Sequence, residues 1–535
     1  MSINGAPVVM EAVLSGRDNG WFANRGVVLL NINLCISLIS SYATGYDGSM
    51  MNGLQSLDTW KAYFHDPDAS SLALLNAIQN VGQLVALPFC AIACDKFGRR
   101  STLLLGALIM LLGTLLQGAA KNTGMFVTAR GILGVGLAFN ITAAPLLILE
   151  LAFPTQRAPL VSIYNALWSL GAIAAAWITY GTFRMNNDYA WRIPSYLQGL
   201  SSVVQLVSCY FIEESPRWLV DTGRVEKAKQ IITKYHCNGD AEDYMVLLEL
   251  EEIKEALRIE KESLASTSYM SFFKTKGNRL RFFIILAVGF FSQWSGNGLI
   301  SYYLTLILNS IGYTSQETQT LINGLLTIWG LVTTFFFSLL VNKFGRRTMF
   351  LVSTAFWTAL ESTYEQSTDL TGEGSPGVAK GVLAMIFLYN LSYAIGWGPL
   401  QVTYVVEILP YQLRARVSRQ THVSETELMI QGLVLYNLFV ALALIFNQYA
   451  NPIGVTNIKW KYYIVYDVWL FVELVVVYFL FVETSGASLE ETAAIIDGTE
   501  VQEQLAEGVA RATEGEKKIT NEETIEVKTE IQTDN

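Results

Sequence analysis

Apolar residues in this chain run in long unbroken blocks rather than at alternating positions. "GVVLLNINLCISLISSYATGY" (26–46), "LLLGALIMLLGTLLQGAA" (103–120) and "VWLFVELVVVYFLFV" (468–482) are examples. A helix needs roughly 20 apolar residues to cross the hydrocarbon of a bilayer. On that rule the pattern predicts about twelve spans, near 26–47, 72–93, 101–120, 125–149, 161–181, 193–212, 281–309, 317–341, 348–360, 379–409, 432–450 and 461–482. The expected class is an all-α membrane protein.

The polar intervals are ordered too. Lys and Arg gather at 96–100, 217–234, 274–281, 343–347 and 414–419. All of these fall on one side if the N-terminus is cytosolic, which satisfies the positive-inside rule with both termini inside. The longest polar interval, 213–280, divides six spans from six. Within it "RVEKAKQIITKY" and "VLLELEEIKEALRIE" place apolar residues at helical spacing and predict short amphipathic helices. The expected organisation is an N-terminal segment 1–25, a six-helix half 26–212, the linker 213–280, a second half 281–483 and a tail 484–535.

Two charged phrases recur at equivalent places in the halves. "DKFGRR" (95–100) follows the second span and "NKFGRR" (342–347) the eighth. "ELAFPTQR" (150–157) follows the fourth and "EILPYQLR" (407–414) the tenth. Such repeats argue for parallel duplicated halves that rock against each other. Arg99, Arg100, Arg346 and Arg347 are expected to reach Glu150 and Glu407 on neighbouring helices. Charge-assisted bonds there would tie the inner ends together. Asp95, Arg157, Glu214, Arg217 and Arg414 complete this expected inner network.

Nine phrases together resemble the sugar porter family of the major facilitator superfamily over about residues 26–490. They are "GYDGSMMNG" (45–53), "DKFGRR", "ARGILGVG" (129–136), "ELAFPTQR", "ESPRWL" (214–219), "QWSGNGLISYY" (293–303), "NKFGRR", "EILPYQLRA" (407–415) and "VETSGASLEE" (482–491). "SQWSGNGLISYYL" and "FNQYANPI" are similar to the fungal lactose and hexose permease branch. The resemblance implies two pseudo-symmetric six-helix halves, alternating access, a mono- or disaccharide substrate and proton symport. It implies that Asp47 exchanges the proton while pairing with Arg130. An acid at membrane depth is costly and marks function by itself.

Sugars require amides and aromatic faces in a dry cleft. Gln293, Asn297, Tyr302 and Tyr303 in span seven, Asn165 in span five and Asn437 in span eleven are the candidates. Against the family pattern, Asn165 stands for a glutamine, Ser292 for the first of two glutamines, Gly330 for an asparagine and Val402 for a tryptophan. Shorter side chains would suit a larger ligand such as a disaccharide.

Two places break the pattern. Span nine offers about thirteen residues, Thr348 to Leu360, before Glu361. The polar stretch 417–431 matches nothing, and deleting it restores "LRARGLVLYN" in frame, as a retained intron would. An inactive product of an altered gene model is therefore one alternative reading. A transporter-like sugar sensor is another, although the tail is acidic and plain.

Charge and cysteines change little. The formal net charge of −10 resides largely in the tail, which is expected to be disordered. The five cysteines, Cys35, Cys90, Cys94, Cys209 and Cys237, read as small packing residues. No cleavable signal peptide is expected, since residues 1–25 are mixed and polar. The polar segments hold no nucleophile triad, metal cluster or phosphate loop. The expectation is a carrier rather than an enzyme, with no cofactor, no metal and no nucleic-acid partner. Its partners are a sugar, protons and the bilayer, and its membrane is the plasma membrane. The residue pattern does not set the oligomeric state.

Overall fold

A computed structural model describes residues 20–22, 24–208, 211–264, 271–274, 276–356, 376–408, 425–458, 461–484 and 496. Every regular element among them is helical. The first part comprises α1 (Arg25–Leu54), α2 (Ala69–Phe97), α3 (Arg99–Gly118), α4 (Thr123–Leu151), α5 (Arg157–Thr182), α6 (Tyr189–Leu197) and α7 (Leu200–Val207). The linker holds α8 (Pro216–Asp221), α9 (Val225–Tyr235) and α10 (Tyr244–Leu264). The second part comprises α11 (Lys276–Trp294), α12 (Asn297–Ser310), α13 (Gln316–Phe344), α14 (Pro376–Ile395), α15 (Trp397–Ile408), α16 (Glu425–Ile458) and α17 (Lys461–Leu480).

Polar side chains start the long helices. Asn24, Asp68 and Asn122 accept the backbone N–H of Val27, Ser71 and Met125, satisfying donors that the first turn leaves free. Small residues then let helices approach. A methyl group on Gly45 would collide with the backbone of Trp168, and one on Gly171 with the carbonyl of Tyr42. This contact locks α1 against α5 without long side chains between them.

Nine helical stretches among the described residues are long and apolar enough to cross a membrane. Three expected spans are not continuous helices. Span six is two short helices, α6 and α7, meeting at Gln198 and Gly199. Span seven breaks at Ser295–Gly296, and span ten at Gly396. Hydropathy reports the apolar length of a segment and is blind to a break in its hydrogen-bond ladder. Span nine is helical over 346–356, and the rest of it lies outside the described residues. Of the stretch 417–431, residues 417–424 lie outside them too, while 425–431 form the first turns of α16.

The two parts meet mainly along three helix pairs, α1 with α12, α2 with α16, and α5 with α13, with a smaller contact of α1 on α13. The linker helices cover one end of the bundle. Ile231, Ile232 and Tyr235 of α9 and Met245, Val246 and Leu250 of α10 share a core with Val27 and Leu30 of α1 and Leu147 and Leu151 of α4. The amphipathic pattern of the linker thus finds its apolar partner on the bundle itself. This end is called the linker face below.

Candidate functional site

Asp47 and Arg130 come together in the interior, from α1 and α4. They are 0% and 3% exposed, and the guanidinium nitrogen stands 3.8 Å from the carboxylate. At that distance they attract without a direct hydrogen bond. Gln79 of α2 fills the gap. Its amide nitrogen donates to Asp47 and its amide oxygen accepts from Arg130. Gln198, at the α6–α7 break, donates to the other oxygen of Asp47. Arg130 also donates to the carbonyl of Leu75, at 2.6 Å. The result is a four-residue polar cluster joining three helices and the α6–α7 break. An amide suits the middle position because it presents a donor to the acid and an acceptor to the cation. The sequence reading found the two charges and missed both glutamines. Their signal was available, since an uncharged amide inside a span is itself costly unless paired.

Polar bonds between the two parts cluster near the C-terminal end of α1, opposite the linker. Asn52 donates to Asn323 at 3.1 Å, Gln55 to the carbonyl of Tyr302 at 3.0 Å, and Ser56 and Thr305 lie 2.8 Å apart. Deeper, Asn80 of α2 donates to Gln448 of α16 at 2.6 Å.

The sugar candidates are distributed around the second part. Gln293 and Asn297 flank the break between α11 and α12. Asn297 donates to the carbonyl of Ser292 at 3.0 Å, and its own oxygen is buried with no hydrogen-bond partner. Gln293 donates to the Ser292 hydroxyl at 3.3 Å. Tyr302 is half-buried, while Tyr303 is fully buried and donates to the carbonyl of Gln448. Tyr303 therefore ties α12 to α16 here. Asn165 on α5 and Asn437 on α16 are exposed. A polar ladder that the sequence reading did not single out runs beside them. Asn447 donates to the carbonyl of Gln293 at 2.6 Å, Asn451 donates to Asn447, and Tyr462 and Tyr466 donate to Asn451 at 3.0 and 2.5 Å. Two of its members lie in the quoted "FNQYANPI".

At the linker face the repeated phrases build matching devices. Gly98 and Gly345 hold φ of +93° and +77°, a region that suits glycine. The turn at Gly98 aims the backbone N–H groups of Arg99 and Arg100 at Glu214, at 2.9 and 3.1 Å. The turn at Gly345 aims those of Arg346 and Arg347 at Glu483, at 2.7 and 3.1 Å. Arg99 pairs with Glu150 at 3.0 Å, and Arg346 with Glu407 at 3.0 Å. Burial raises the carboxyl pKa of Glu214, against the pull of those N–H donors. Glu483 was not among the expected residues, although it stands after span twelve as Glu214 stands after span six.

Three details of this network differ from expectation. Arg347 turns to the carbonyl of Tyr478, at 2.6 Å, rather than to Glu407. Arg100 meets Glu214 through its backbone N–H, a bond that its residue type does not specify. Arg157 faces Glu249 of α10 at 3.9 Å, a residue outside the expected network, because the short helix Pro154–Gln156 turns it toward the linker. Glu249 also takes a 2.7 Å contact from His236, whose other nitrogen meets the carbonyl of Leu151. Asp95 is exposed and lies 3.8 Å from Arg99. Arg217 sits half-buried in α8 beside Glu214, and Arg414 lies outside the described residues.

Comparison with known proteins bears on the same region. Residues 32–495 match the model of the family described as "Sugar (and other) transporter". The chain is 28% identical over 462 residues to the MFS-type transporter criB of Aspergillus cristatus, covering 86% of this chain and 92% of that protein. It is 27% identical to the High-affinity glucose transporter 1 of Candida albicans, covering 85% and 84%. Among solved structures it resembles the inward open conformation of the xylose transporter XylE from E. coli, with TM-score 0.68 and 21% identity over 87% of this chain and 99% of that one.

Proposed function

The chain belongs to the sugar transporter family, and from that premise we propose that it carries a sugar across the plasma membrane in symport with protons. It is a multi-pass membrane protein with the major facilitator fold. The linker face is assigned to the cytosol on its arginine-rich loops, with both termini on that side. The two halves rock about the α1–α12, α2–α16 and α5–α13 contacts. In the conformation described, the polar bonds from Asn52, Gln55 and Ser56 hold the side opposite the linker together.

One observation carries the coupling: a fully buried aspartate held to a buried arginine through a glutamine. Protonating Asp47 removes the charge that Arg130 and the two amides are arranged around. Gln79 and Gln198 then lose their strongest acceptor, and α1, α2, α4 and the α6–α7 break lose a common anchor. Proton occupancy and helix arrangement are linked in this way. Hexoses are the first substrates to try, since a glucose transporter is among the relatives. A disaccharide remains the larger alternative, and Gln293, Asn297, Tyr302, Asn165 and Asn437 are the proposed sugar contacts.

The test is uptake of labelled glucose and xylose into proteoliposomes, with and without an inward proton gradient. Wild type accumulates sugar only with the gradient. Asp47→Asn loses accumulation and keeps exchange of internal for external sugar. Accumulation by Asp47→Asn at the wild-type level would remove Asp47 from the coupling.

A further inference from the structure

The second half holds a carboxyl group that the sequence pattern hid inside an apolar block. Glu473 lies in α17 and is 0% exposed. Both of its oxygens face the hydroxyl of Ser295, at 3.1 and 2.9 Å. The same hydroxyl is bonded to the carbonyl of Phe291, one turn earlier in α11. Trp469, one turn before Glu473, lies beside the acid. Its ring packs on Phe291 and Trp294, at 5.8 and 5.3 Å between centroids.

Among the described residues no cation pairs with Glu473. Lys276, Arg279 and Arg281 belong to the first turns of α11, and Arg281 donates to the carbonyl of Ile408 at 3.0 Å. Lys461 opens α17, and Asp467 stands nearly two turns before Glu473 on the same helix. From α14, Tyr389 donates to the carbonyl of Ser295 and not to the acid. From α16, Tyr436 turns to Gln401 at 2.9 Å.

Counting hydrogens bears on the state of the group. A hydroxyl has one hydrogen to give. Ser295 cannot donate to Phe291 and to Glu473 together. A serine in a helix commonly donates to the carbonyl one turn back. With its hydrogen so placed, Ser295 can only accept from Glu473, and only the protonated acid has a hydrogen to offer. The opposite assignment puts an unpaired charge at membrane depth and takes the hydroxyl away from Phe291.

Ser295 and Gly296 are the two residues between α11 and α12, and Gly296 holds φ of +91°. Gln293 and Asn297 flank this break. We propose that Glu473 is a neutral carboxylic acid that pins the α11–α12 hinge through Ser295, a positioning residue for the helix that presents the sugar-facing amides. The hinge role rests on the transport reading, whereas the proton on Glu473 does not.

The proton is read by infrared difference spectroscopy of purified protein in nanodiscs at neutral pH, wild type minus Glu473→Gln. The expected difference contains the carbonyl band of a protonated carboxyl group. Carboxylate bands in its place overturn the proposal. The hinge is read by labelled-glucose uptake in proteoliposomes. Glu473→Gln retains a donor for Ser295 and is expected to hold kcat within about twofold of wild type. Glu473→Leu has no donor and is expected to lose about tenfold in kcat with KM little changed. Equal loss in both variants, or none in Glu473→Leu, overturns the hinge role. If wild type moves no sugar, the transport reading fails and the infrared difference still decides the proton.

Discussion

Asp47 and Glu473 are both wholly buried acids inside spans, one in each half, yet they are solvated in opposite ways. Asp47 has a cation 3.8 Å away and two amides donating to it. Glu473 has a serine and a tryptophan. The first environment compensates a negative charge, and on the proposed coupling a proton gained there loosens the anchor that α1, α2, α4 and the α6–α7 break share. The second offers no cation among the described residues and suits an acid that keeps its proton. Depth in the membrane makes an acid costly; its neighbours decide whether it can serve as a carrier of protons or only as a fixed donor.

Mutations can push the two sites together or further apart. The largest effect is expected from Arg130→Ala, which leaves Asp47 as cation-free as Glu473. Removing one partner of a buried pair costs about 3–5 kcal/mol. The variant should melt far below wild type in detergent and lose gradient-driven uptake. Wild-type stability would mean that the two acids are alike. Next is Gln79→Leu, which keeps both charges and removes the amide between them. Leaving those groups short of a partner costs about 1–3 kcal/mol, read as a lower melting temperature with the N-terminal half more open to hydrogen exchange. Ser295→Ala should cost less, about 1 kcal/mol, because a neutral Glu473 loses one hydrogen bond and strands no charge. A drop as large as that of Arg130→Ala would show that Glu473 is ionised. The smallest effect belongs to Asp95→Asn, which makes the first repeated phrase read like the second. Its carboxylate is exposed, and the melting temperature should move by less than the equivalent of about 0.5 kcal/mol.

The repeated loops sharpen the same contrast from the other side, because there the halves agree. Glycine, arginine and glutamate occupy equivalent places, and Glu214 and Glu483 receive equivalent backbone donors. Most of this was legible beforehand, because a turn and its charged residues are local features that recur in the sequence. Glu483 was overlooked because its partners are N–H groups, which no residue type announces. Arg157 meets the linker residue Glu249 beside a three-residue helix, a partner that no repeated phrase announces.

The polar interior was less legible. Asp47 and Arg130 stood out as charges within apolar blocks. Gln79, Gln198, Asn447 and Asn451 are uncharged, and Glu473 lies within "VWLFVELVVVYFLFV", where one acid barely lowers the hydropathy. Which of these groups meet depends on the rotation of each helix and on the breaks at Gln198, Ser295 and Gly396.

The amino-acid sequence alone determined that the chain crosses a membrane repeatedly, that its two halves are related, and that Asp47 and Arg130 are costly charges within apolar blocks. Those are properties of length, repetition and the cost of charge in hydrocarbon. Only the tertiary structure decided that a glutamine stands between that pair, that span seven is broken beside Ser295, and that no cation among the described residues meets Glu473. Each of these depends on side chains from helices far apart in sequence, and their approach is set by helix packing rather than by any local pattern.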